Sequence, residues 1–151
     1  MPLTVVGLFF YIAGLIIGLG GVTVIQILAW LGRNNNYWSE ATVRAHRVTK
    51  PLIWFGALMA LSGASLFYRG VGLTGLVRPM ALVALVLFVN GFLLTAWLSP
   101  RLLQREKAGL AQELLPQEWK KWISFSLILA TIVWWSEVFL LVLFLYRHLT
   151  Y

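Results

Sequence analysis

The chain has 151 residues, of which 60% are hydrophobic and only 11% charged. Soluble domains carry about 25% charged residues, so too little polar surface remains here to face water. The absence of cysteine excludes disulfides, thiolate zinc sites, iron–sulfur ligation and dithiol redox chemistry. A net charge of +7 raises nucleic-acid binding, but the basic residues sit in short loops between apolar blocks. Lipid headgroups account for that pattern better, and no nucleic-acid partner is expected.

The first block, 3–31, carries no formal charge and exceeds the roughly 20 residues needed to cross a bilayer. No Lys or Arg precedes it, and it is too long for a signal-peptide core, so it reads as a retained span. Gly7, Gly14, Gly18 and Gly21 fall on one side of that helix, and Gly14 with Gly18 forms a GxxxG pair. Gly32 and Asn34, Asn35 and Asn36 end the span. Ser39 is a candidate N-cap for a helix running through Glu40, Arg44 and Arg47 into the second span, 51–69. Gly56, Ala60 and Gly63 form a matching stripe there. Helices associate in lipid where small residues let backbones approach, so helices 1 and 2 are expected to touch along Gly14, Gly18, Gly21, Gly56, Ala60 and Gly63.

Gly70, Gly72 and Gly75 make a short loop before the third span, 79–99, which Pro100 ends or bends. Pro116 and Glu118 suit the first turn of the fourth helix, whose span is 122–146. None of the blocks alternates polar with apolar residues, which excludes a β-barrel. The expected fold is therefore all-α: one domain over 1–151, a bundle of four transmembrane helices.

Charge sets the expected orientation. Arg33, Arg44, Arg47 and Lys50 follow span 1, and Arg101, Arg105, Lys107, Lys120 and Lys121 follow span 3. The opposite side has Arg69, Arg78 and Arg147. Short basic loops stay cytoplasmic, so both termini are expected on the non-cytoplasmic side. Trp30, Trp38, Trp54, Trp97, Trp119 and Trp122 lie near the cytoplasmic span ends and Tyr68 and Tyr146 near the outer ends, depths that amphipathic rings favour. The expected setting is a bacterial inner membrane.

Polar groups are costly in hydrocarbon, so those inside the spans are candidates for function. At about 1.5 Å per residue, counting inward from the outer span ends puts Ser62 ~10 Å, Tyr11 ~12 Å, Glu137 ~13 Å and Asn90 ~16 Å deep. Glu137, Asn90, Tyr11 and Ser62 are expected to form one polar cluster, lined by Trp134. Three readings of Glu137 stay open. It is a protonated structural acid bonded to Asn90 or Tyr11, an ion or proton site, or an interfacial carboxylate reaching Arg69, Arg78 or Arg147. His46 and His148 lie at opposite ends of the bundle and cannot share one haem within a monomer. No pair of His or acidic residues has metal-site spacing on a helix face. No nucleophile–base arrangement or phosphate-binding loop is present, so no catalytic residue is assigned.

Three segments, FFYIAGLIIGLGGVTV (9–24), FVNGFLLTAWLSPRLL (88–103) and ISFSLILATIVWWSEVFLL (123–141), resemble a widespread family of small bacterial four-helix membrane proteins. That family is in turn distantly similar to the copper-resistance-D and HemJ types of membrane protein. The resemblance implies the four-helix fold, and the distant similarity implies haem, porphyrin or copper chemistry. Those proteins have a His early in helix 1 where Tyr11 stands here, and a phenol is a poorer ligand for iron or copper than imidazole. Met1, Met59 and Met80 are too scattered for a copper(I) site.

The leading expectation is a non-enzymatic accessory or structural subunit of a larger membrane complex, with lipid or pigment contacts. A membrane-protein partner or a homo-oligomer is expected. A haem- or porphyrin-related redox enzyme and a proton- or cation-coupled transporter using Glu137 are the alternatives.

Overall fold

A computed structural model describes residues 3–149; the side chains of His148 and Leu149 lie outside the described set. Helix α1 spans Leu3–Leu31 and α2 spans Asn36–Phe67. The third rod is composite: α3, Val77–Leu93, passes through a π-helical turn, Leu94–Leu98, into α4, Ser99–Lys107. A short 3₁₀ turn, Leu110–Gln112, precedes α5, Gln117–Leu149. Four of these rods are long and apolar enough to cross a membrane. The loops at 32–35 and 108–116 lie at one end of the bundle, here called the basic end.

The α1–α2 pair is the closest in the molecule. It runs antiparallel with Gly7 against Phe67, Tyr11 against Gly63, Gly14 against Ala60, Gly18 against Gly56 and Gly21 against Ile53. Successive contacts on α1 step by four and three residues, the 3.5-residue repeat of a left-handed coil. A Cβ on Gly7 would lie 2.7 Å from the Phe67 backbone nitrogen, and one on Gly56 2.6 Å from that of Gly18. Only glycine allows backbones this close.

The turn between α1 and α2 differs from expectation. Asn35, not Ser39, caps α2: its side-chain oxygen accepts from the Tyr37 N–H at 3.0 Å and the Trp38 N–H at 3.4 Å. Ser39 is instead buried in the first turns, because Gly32 backs directly onto it, leaving 3.0 Å between an ideal Gly32 Cβ and the Ser39 nitrogen. A cap upstream of that contact closes the turn more tightly. Asn35→Ala should therefore cost about 1 kcal/mol, read as a lowered midpoint of thermal unfolding in detergent, while Ser39→Ala leaves the cap intact.

Pro100 bends the third rod rather than ending it. Proline has no N–H to donate and its ring crowds the carbonyl four residues back. The backbone answers by widening into the π turn, where the Ser99 N–H bonds the Leu94 carbonyl. At the far end, Gly72 and Gly75 adopt left-handed φ values of 65° and 52°, which close the 68–76 loop.

The third rod packs on α5, buries side chains at its two ends and stands off from α2 along α3. Val77 and Met80 are buried at one end and Leu98, Ser99 and Leu102 at the other. Between them no residue of the rod is buried. Two core clusters result, one around Tyr11, Trp134 and Phe144, the other around Val43, Leu98 and Leu102. Polar side chains bridge the gap between them. Trp54 Nε1 donates to Thr95 Oγ1 at 3.0 Å, and Ser126 Oγ donates to Asn90 Oδ1 at 2.6 Å.

Candidate functional site

The standing-off of α3 opens a cavity of about 140 Å³ lined by all four rods. That is close to the engineered cavity of about 150 Å³ that binds benzene. Its walls are apolar: Val22, Ile25, Ala57, Leu87, Leu127 and Ala130 lie along it, with the Trp134 ring at its far end. Towards the basic end it is lined by Arg33, His46, Lys50 and Lys120, and among the described residues no Asp or Glu lines it.

The bonding of those basic groups is distinctive. Lys50 Nζ donates to Ser99 Oγ at 3.0 Å, and His46 Nε2 lies 3.3 Å from the same hydroxyl. Arg33 donates to Ser124 Oγ at 2.7 Å, and Lys120 Nζ to the Arg33 carbonyl at 2.7 Å. All four thus meet neutral oxygens. Three carboxylates at this end pair with other cations, Glu40 with Arg44, Glu106 with Arg47 at 2.9 Å and Glu113 with Arg105 at 3.8 Å, and among the described residues none is ion-paired to Arg33, Lys50 or Lys120. The cavity therefore ends in positive charge that no carboxylate neutralises.

Beyond Trp134 lies a second cavity of about 40 Å³. Here Tyr11 Oη donates to Glu137 Oε1 at 2.5 Å. The Trp134 ring lies directly over Gly18, where any Cβ would overlap it. Tyr68 completes this region: its ring meets the Tyr11 ring edge-on at 6.0 Å, and its hydroxyl donates to Met80 Sδ at 3.4 Å.

Of the expected cluster, the structure joins Tyr11, Glu137 and Trp134 and separates the rest. Ser62 is exposed and returns its hydroxyl to the Leu58 carbonyl at 2.8 Å, as a helical serine without a partner does. Asn90 pairs with Ser126, eleven residues or about 16 Å of helix from Glu137. The depth count placed every helix end in one plane, whereas the rods are offset along their axes. Arg78 spends its Nε on the Leu73 carbonyl at 2.8 Å, and among the described residues Glu137 has no ion pair. The reading of Glu137 as an interfacial carboxylate is therefore set aside.

Two anchoring aromatics are also reassigned. Tyr68 is buried among Phe67, Tyr11 and Phe144, and Trp54 is half-buried, joining α2 to α3. Sequence reasoning missed Gln26 and Thr131, whose side chains bond at 2.7 Å, and Ser126. Their polarity inside apolar blocks was the available signal.

The donor set does not fit the ligation that the distant resemblance implies. The Tyr11 phenol is committed to Glu137. His46 faces Ser99 with no second imidazole beside it, and the His148 side chain lies outside the described residues. Among the described residues no three potential metal ligands come together. Comparison of the chain with protein-family models, curated proteins and solved structures returned no match.

Proposed function

We propose that the protein is a non-enzymatic accessory protein of the bacterial inner membrane, with both termini outside the cytoplasm, that holds an anionic amphiphile between its helices. One observation carries the reading. The apolar cavity ends in Arg33, Lys50 and Lys120, whose charges face neutral oxygens rather than carboxylates. A lipid chain entering from the bilayer gains no hydrophobic free energy, so the walls contribute only packing, whereas an anionic headgroup gains about 1 kcal/mol per nearby Lys or Arg. The basic end matches the depth of cytoplasmic-leaflet headgroups, so the guest needs no displacement across the bilayer. The exposed face of α3, with Leu82, Leu85, Val89 and Phe92, remains available to lipid or to a membrane-protein partner.

Displacement of a fluorescent fatty acid from the purified protein tests the reading. Lys50→Ala combined with Lys120→Ala should weaken binding by roughly 30-fold, the equivalent of about 2 kcal/mol. The alcohol of the same chain length should bind weakly to wild type and be indifferent to the substitutions. Equal affinity of wild type for the acid and the alcohol would remove the charged headgroup from the proposal. Native mass spectrometry from mild detergent reports protein partners, and an absorbance scan of the same sample reports any pigment.

A further inference from the structure

Trp134 and Glu137 both line the smaller cavity, and each carries one buried polar atom without a partner. Trp134 is 1% exposed and its Nε1–H has no acceptor; Glu137 is 7% exposed and its Oε2 has no partner, although Oε1 accepts from Tyr11. Both residues line the same space of about 40 Å³, whose remaining walls are largely aliphatic. Buried polar groups left unbonded are rare, and two beside one void point to an occupant. The space exceeds the roughly 10–15 Å³ that admits one water.

We propose that this cavity binds a neutral hydroxyl, which accepts the Trp134 Nε1–H and bonds Glu137 Oε2. The chemistry of the two atoms selects that class. A hard cation wants six or more oxygen ligands, and here a single carboxyl group is free to ligate. An anion would oppose Glu137. A ketone oxygen accepts from the indole but cannot donate to a carboxylate. A hydroxyl both donates and accepts, so it satisfies the indole together with the carboxyl group in either protonation state. The hydroxyl has two sources, a buried water or the alcohol group of a membrane-soluble guest. Ala57 and Leu61 on α2 and Val83 and Ala84 on α3 line the same cavity, an apolar setting suited to the carbon skeleton of such a guest. The inference is independent of the amphiphile reading, because none of the basic side chains takes part.

The test is proton NMR of the full chain in micelles with ¹⁵N-labelled tryptophan indoles. Trp134→Phe assigns the Trp134 resonance; if that variant does not fold, substitution of the other tryptophans, of which Trp30, Trp97, Trp122 and Trp135 are exposed, assigns it by elimination. The expected result is a downfield, hydrogen-bonded Nε1–H resonance that moves on Glu137→Gln. A cross-peak at the water frequency identifies water as the source, and cross-peaks to carbon-bound protons of a co-purified molecule identify an alcohol. A resonance at the position of an unbonded indole, unmoved by Glu137→Gln, overturns the proposal.

Discussion

Gly63→Val is expected to be the most damaging single substitution in the bundle, at about 3 kcal/mol or more, the upper range for overpacking. Any Cβ at this position overlaps the Tyr11 backbone nitrogen and crowds the Gly7 carbonyl at 2.7 Å. Main-chain atoms cannot rotate away, so α1 must move as a body. That movement also pulls Tyr11 from Glu137, adding the loss of a buried hydrogen bond. Gly14→Ala should act in the same direction, because it meets the Ala60 backbone. Gly20 supplies the control: an added Cβ meets nothing within 4 Å, so Gly20→Ala should be neutral or stabilise by up to about 1 kcal/mol through helix propensity. Unfolding in mixed micelles measures all three. Equal losses at Gly63 and Gly20 would mean that interhelical approach at Gly63 does not set the cost.

Tyr11→Phe carries the second large effect, about 2 kcal/mol, for a reason separate from packing. The ring stays and only the hydroxyl leaves, so the volume lost is small. What remains is Glu137 with Oε1 buried and stripped of its donor, in a carboxyl group whose Oε2 has no protein partner either. Leaving a buried polar group unsatisfied costs about 1–3 kcal/mol, while replacing both members by apolar groups can be nearly neutral. The double substitution Tyr11→Phe with Glu137→Leu should therefore be less destabilising than the sum of the two single changes. A coupling of at least about 1 kcal/mol in the cycle is expected. Additive costs would show that the bond contributes nothing to stability.

The sequence was informative about helices because apolar blocks without charge have one stable backbone solution in hydrocarbon. It was also informative about the α1–α2 seam, since glycines recurring on one helix face have a single packing use in lipid. It was less so for the polar residues. Glu137 and Tyr11 stood out by type and depth, and they meet. Asn90 stood out equally and pairs elsewhere, because depth along a helix fixes neither the rotation of that helix nor its axial offset. Ser126, Gln26 and Thr131 passed unnoticed beside bulkier neighbours, and only their partners reveal them.

Asn35 shows the same limit at the scale of a turn. From the sequence, Asn34, Asn35 and Asn36 read as the end of span 1 and Ser39 as the cap of the next helix, although local chemistry ranks Asn and Ser nearly equally as caps. The choice fell to a contact across the turn itself, the approach of Gly32 to Ser39. Pro100 likewise announced a disturbance without saying which. Its outcome, a π turn rather than a stop, depends on Leu98, Ser99 and Leu102 being held in the inner core.

By itself the sequence determined the number of rods and the faces along which two of them pack, since these follow from local composition and periodicity. Only the tertiary structure decided that the third rod stands away from α2 while packing on α5, that the space so created ends in lysines and an arginine facing neutral oxygens, and that Trp134 and Glu137 share a void. Cavities arise from the relative placement of helices far apart in the chain, and no local property of the residues encodes how far apart those helices will stand.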